Sequence, residues 1–279
     1  MFSTEFLHIV REHEINEIVK HFTPRGWILE IGGGTGYQAK LLASRGFKVA
    51  SIDVPASNYR GARVFPVVEY DGKAFPFKDQ TFDVVFSSNT LEHIADLEPI
   101  HGESRRVLKP GGYCVHVLPT AVWRFWTIVT HYVELAQRAL GLAPMLLPRR
   151  FTLAEAKRAA RVSLNIVGML RADAVPPRHG ETGTVFTELR TFNRRHWVES
   201  FQRHNFLVLC TQPMHLFYTG QMVFGKRWSL RSRKLASSLL GSACMLYKLG
   251  VPPAEPQDSR RRGAIAVSEK PECVGLRDR

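Results

Sequence analysis

Cysteine is scarce, with four in 279 residues, at positions 114, 210, 244 and 273. None forms a C-x-x-C pair and none lies beside a run of histidines. That excludes a cysteine-built zinc module and a disulfide-stapled scaffold, suits a reducing compartment, and leads us to expect no metal site. Long apolar runs are missing as well. None reaches the roughly 20 residues needed to span a bilayer. Glutamates at 5, 12, 14 and 17 are out of place in a secretion leader, so a cytoplasmic protein is expected. Neither an Asn/Asp-Pro-Pro-aromatic signature nor a recognisable RNA-binding module is found, which makes nucleic acid the weaker partner.

Acidic charge is in deficit, but only in one half. The net charge is +13. Residues 1–118 hold 13 Lys and Arg against 14 Asp and Glu, and the remainder holds 25 against 11. The second half therefore faces something anionic, such as a lipid headgroup, a charged glycan or nucleic acid. Hydrophobic residues make up 44% of the chain, enough for one large core.

The organising stretch is Trp27-Ile-Leu-Glu-Ile-Gly-Gly-Gly-Thr-Gly36. An apolar strand runs into glycines and then into a helical pattern at 36–45. Such a turn lets backbone approach a ligand closely. Two frames fit it. Gly34, Gly36 and Ala39 satisfy a dinucleotide fingerprint for NAD. Glu30, Gly32, Gly34 and Gly36 satisfy E-x-G-x-G-x-G. A second strand, 48–53, ends in Asp53, a carboxylate able to accept both hydroxyls of a ribose under either frame.

Further strands are expected at 64–70, 82–88 and 113–118, with a helix over 99–108. Strands alternating with helices imply an α/β fold, a doubly wound, mostly parallel sheet with ligands beyond the carboxyl ends of the strands. Gly32–Gly36, Asp53, Asp71 and Asn89 all fall at those ends.

Tyr70-Asp-Gly-Lys-Ala-Phe-Pro-Phe77, Phe82-Asp-Val-Val85, Leu91-Glu-His-Ile94 and Glu103 to Gly112 follow the glycine turn in order. Together with the E-x-G-x-G-x-G frame, this series resembles the type 11 subgroup of class I S-adenosyl-L-methionine (SAM) dependent methyltransferases. The resemblance covers 27 to about 119, with a fainter echo at 193–225. It implies a seven-stranded Rossmann-like sheet with SAM as cofactor, Asp71 accepting from the adenine amino group, and backbone at Gly72 beside the ring.

On that basis 1–119 would be an N-terminal helix, reading amphipathic over 9–22, and the SAM-binding half. Residues 120–191 would be a helical and loop insert after strand five, roofing the substrate site. Its first helix carries an apolar stripe of Val122, Trp126, Val129, Val133, Ala136 and Leu140, with aromatic residues crowded at one end. Residues 192–225 would supply the closing helix and strands, the last at 216–224. Residues 226–279 would be a basic C-terminal segment with an apolar helix at 235–251, then a disordered tail.

His93, just past strand four, and His179, on a glycine-punctuated loop of the insert, are the candidates for a base; Glu188 is a further one. The expected reaction is O-methylation of a saccharide or lipid-linked cell-surface precursor, with peripheral membrane contact through the basic half. An NAD-dependent oxidoreductase stays open, as does an inactive nucleotide-binding module docking on membrane or nucleic acid.

Overall fold

The computed structural model describes residues 4–146, 152–221 and 227–253. Its first strand, β1 (Trp27–Ile31), is buried over its last four residues, so it sits in the middle of a sheet. Around it are β2 (Lys48–Asp53), β3 (Val68–Glu69), β4 (Phe82–Ser88), β5 (Leu108–Pro119), β6 (Leu207–Pro213) and β7 (Cys244–Gly250). The order is β3-β2-β1-β4-β5-β7-β6. The first five strands pair in parallel, and β7 runs antiparallel to both β5 and β6. This is the expected seven-stranded, doubly wound architecture.

Alternation along β1 assigns the two faces. Ile28 packs with Ile15, Ile18, Phe86 and Val115, under the N-terminal helix α1 (Thr4–Ile18). Leu29 and Ile31 pack on the other face with Ile100, Val107, Trp197 and Phe201. Those come from α3 (Glu98–Val107) and, beyond the helices named next, α7 (Arg194–Arg203). The turn after β1 opens α2 (Tyr37–Ser44), and β5 leads into α4 (Ala121–Leu142), α5 (Leu153–Ala172) and the single turn α6 (Glu188–Thr191).

Several expectations need correction. The strand read at 64–70 shrinks to Val68–Glu69. The closing strand is not at 216–224. It is β7, inside the apolar run taken for a terminal helix. The run divides at Gly241, whose φ of 89° ends α8 (Leu230–Leu240). Beyond it the chain is extended, with Cys244, Leu246 and Leu249 buried. Hydropathy alone cannot see that division, because both pieces are apolar. Residues 222–224 of the misplaced strand lie outside the described residues, as does the tail from 254.

The stripe read on α4 is also turned. Its buried residues are Trp123, Arg124, Thr127, Thr130 and Leu135, while Val122 and Val133 are exposed. Of the crowded aromatics, Trp123 is buried and Trp126 donates to the Leu240 carbonyl at 3.2 Å, leaving Phe125 and Tyr132 exposed. Cys114 and Cys244 are buried thiols. Among the described residues, no helix is long and apolar enough to cross a membrane.

Candidate functional site

Register sets the site. Ile31 pairs with Ile52 on one side and Ser87 on the other, so β1, β2 and β4 end level. Gly32, Asp53 and Asn89 therefore emerge side by side. The backbone N–H groups of Gly32 and Gly33 both donate to the Ile52 carbonyl, at 2.9 and 3.0 Å, pinning the turn to β2. Gly32 has φ of 74°, and a Cβ there would lie 2.3 Å from the Thr90 side chain. Gly33 fills no place in either glycine frame, yet its Cβ would stand 1.9 Å from Ser51 Oγ and 3.2 Å from Glu30 Oε2. Close approach, rather than backbone conformation, requires glycine there.

Glu30 lies on the α1 face of β1 and is 2% exposed. Ser51 Oγ donates to its Oε2 at 2.6 Å. Burial, only partly offset by that bond, pushes its pKa up to about 7. Asp53 accepts from the Gly34 N–H at 2.9 Å through Oδ2 and from the Val54 N–H through Oδ1. Asp71 is exposed and caps its own loop, Oδ1 accepting from the Lys73 and Ala74 N–H groups at 2.8 Å each. Those two bonds hold its carboxyl below the usual range. Gly72 follows at φ of 81°.

Asn89 sits at φ of 51°. Turned so that its amide oxygen meets donors, it accepts from Arg11 Nη1 at 2.6 Å. Arg11 also forms an ion pair with Glu14 at 2.6 Å. The sequence reading missed Arg11, because nothing in α1 marks one arginine as turned toward the strand ends.

The two candidate bases, 86 positions apart in sequence, meet. The rings of His93 and His179 lie 4.7 Å apart, edge to face. Between them is Glu92, a residue passed over as part of a packing motif, with its side chain fully buried. Its Oε1 is 3.9 Å from His93 Nε2 and 3.8 Å from His179 Nε2. Burial, outweighing the pull of Glu92, lowers the His93 pKa. Thr90, two residues before Glu92, packs on Gly32, so this cluster borders the glycine turn.

Glu188 is not a free base. Its Oε1 accepts from the N–H groups of His179 and Gly180, both at 2.7 Å. Its Oε2 is 2.7 Å from Arg124 Nε, with both side chains buried. Arg124 also donates to the Pro177 carbonyl at 2.7 Å. The insert loop carrying His179 is thus tied to α4 and α6 by a buried ion pair. A cavity of about 180 Å³ beside Glu92, walled by Leu91, Ile94, Gly180, Phe192 and Trp197, opens between that loop and the post-β4 turn.

A level row of parallel strand ends, a glycine turn against β2 and acids after β2 and β3, within a sheet closed by an antiparallel seventh strand, define a class I methyltransferase fold. Comparison with known proteins makes this specific. Residues 29–116 match the family model of a type 11 methyltransferase domain. An uncharacterized methyltransferase from Mycobacterium sp. (strain KMS) is 32% identical over 127 residues, which is 42% of this chain and 50% of that protein. One from Mycobacterium sp. (strain JLS) is 35% identical over 106 residues, 36% of this chain and 41% of that protein. The chain thus spans about half the length, or less, of these curated relatives. A chain from the Haloferax volcanii complex containing the Trm112 methyltransferase activator superposes with a TM-score of 0.50 at 13% identity, covering 89% of this chain and 93% of that one. Residues 29–116 thus match a SAM-dependent methyltransferase domain, set within a class I methyltransferase fold. The residues fit an adenosyl ligand: next to the glycine turn the ends of β2 and β3 carry two hydrogen-bond-accepting carboxylates, Asp53 half-buried and Asp71 exposed.

Proposed function

We propose that this chain binds SAM across the ends of β1, β2 and β4 and transfers its methyl group to a hydroxyl of an anionic saccharide or lipid-linked acceptor. The carrying observation is the level register that sets the glycine turn beside Asp53, with Glu30 beneath it on β1 and Asp71 on the loop after β3, one strand further out. When bound, SAM supplies a methyl carbon already attached to a positively charged sulfur, its own leaving group. Asp53 then holds the ribose hydroxyls and Asp71 the adenine amino group. Glu30 lies beneath the turn and, with its pKa at about 7, is only partly ionised at neutral pH; its charged form favours a cationic ligand.

A hydroxyl must shed its proton as its oxygen attacks, whereas a carboxylate need not. His93 and His179 are the groups able to receive it, and the lowered pKa of His93 keeps that imidazole neutral at pH 7. The basic second half supports an anionic acceptor. α5 adds Lys157, Arg161 and Arg171 to the surface of the insert.

Calorimetry with SAM and NADH on wild type, Asp53→Asn and Asp71→Asn tests the cofactor half. Asp71→Asn keeps the one oxygen that caps its loop and removes only charge, whereas Asp53→Asn also gives up one of the two N–H bonds its carboxylate accepts. Each should weaken SAM about tenfold or more, the worth of a charged hydrogen bond, and Asp71→Asn should do so without lowering the melting temperature. Tighter binding of NADH than of SAM, or SAM affinity unchanged in both variants, would overturn the assignment.

A further inference from the structure

We infer that Glu92, His93 and His179 form a binding site for one divalent first-row transition ion. One oxygen and two imidazole nitrogens converge, all three within 4.8 Å of one another. The 3.9 and 3.8 Å separations from Glu92 Oε1 to the two Nε2 atoms are too long for hydrogen bonds. They are shorter than two metal–ligand bonds laid end to end, about 4.1 Å for nitrogen and oxygen on zinc. A single ion can therefore reach the carboxylate and either imidazole at once.

The second observation is independent of that spacing. The Glu92 side chain is fully buried, and neither carboxylate oxygen has a hydrogen-bond partner among the described residues. A buried carboxylate without donors is costly, and a bound cation removes the cost. The ligands are also held in place. The Glu181 N–H donates to the Glu92 carbonyl at 3.2 Å, and a Cβ at Gly180 would lie 2.8 Å from that same oxygen. Glu188 fixes the His179 backbone from the other side.

Two imidazoles and one carboxylate select zinc, manganese, iron or cobalt over magnesium or calcium, which prefer all-oxygen sets. The imidazoles are 39% and 34% exposed, so coordination positions remain on the side away from Glu92. The site itself stands on geometry; its role rests on the methyl-transfer reading above. An acceptor hydroxyl bound to the ion loses its proton to water at a lower pH. Its oxygen then forms the bond to the methyl carbon, and the carbon–sulfur bond breaks with its electron pair on sulfur. The imidazoles act as ligands in that case, and the acceptor needs no protein base.

The test uses the full chain without a polyhistidine tag, stripped with a chelator and titrated with Co(II) by visible absorption. One equivalent should bind with d–d bands. Glu92→Gln and His179→Ala should each weaken uptake about tenfold or more, while His196→Ala on α7 leaves it unchanged. His179→Ala lies on a surface loop, so it serves if thermal melting shows Glu92→Gln unfolded. Substoichiometric uptake, or uptake unaltered in His179→Ala, overturns the site. SAM calorimetry on the stripped protein is read separately, so a failed metal site and a failed cofactor assignment give different results.

Discussion

A carboxylate that shares a sheet face with isoleucines must either find a partner or stay protonated. Glu30 does some of each, with one short bond from Ser51 and a pKa raised to about 7. Its ordinary value is 4.5, so between about 4.5 and about 7 the folded state holds more protons than the unfolded chain. Stability from this group is full below that window and falls as pH rises through it. Glu30→Gln removes the effect. Urea titrations of the ligand-free protein at pH 4.5 and 7.5 should show the variant gaining about 3 kcal/mol on wild type between the two. Parallel pH profiles would contradict the burial of this charge. Glu30 was singled out in the sequence because its spacing before the glycines is a motif. Gly33 was not, since its requirement comes from Ser51 on a neighbouring strand.

On the scale of single elements, the insert is held by one buried ion pair. Arg124 on α4 faces Glu188 on α6, and Glu188 in turn holds the His179 loop. Glu188→Gln keeps an acceptor for the two loop N–H groups but strands a buried guanidinium. Breaking a pair from one side costs about 3–5 kcal/mol. Thermal and urea unfolding should report that loss, with faster hydrogen exchange at the His179 and Gly180 amides. Adding Arg124→Met should recover most of it, and a double variant no better than the single would argue against the pairing. None of this was legible, because a lone glutamate and a lone arginine 64 positions apart carry no local signal. The β1 turn, β2 and β4 were read nearly to the residue, since strand and glycine signals there are short-range. β7 was lost because its partners are distant in sequence and its hydropathy merges with α8.

At the scale of the whole molecule, part of the basic excess of the second half lies on α5, with Lys157, Arg158, Arg161 and Arg171 against Glu155. No residue of α5 is buried, and Leu153, Leu164, Val167 and Leu170 are exposed beside its lysine and arginines. The proposed anionic partner predicts co-sedimentation with vesicles rich in anionic phospholipid, little with neutral ones, and release as salt shortens the Debye length to about 3 Å near 1 M. Arg161→Glu with Leu164→Asp should abolish the pull-down while leaving SAM affinity intact. Equal retention by neutral vesicles would exclude an electrostatic surface. The fold class and cofactor were readable because the motifs lie in one continuous stretch; the acceptor was not, because no comparable local signal marks the residues after β5.

The seventh strand has a consequence for synthesis. It is the last of the sheet to leave the ribosome, yet it lies between β5 and β6. Until residue 250 emerges, β5 offers an unsatisfied hydrogen-bonding margin and β6 has nothing to lie against. The sheet can therefore close only after translation has passed almost the whole domain, and a nascent chain halted at residue 240 should be a substrate for chaperones rather than a smaller folded enzyme.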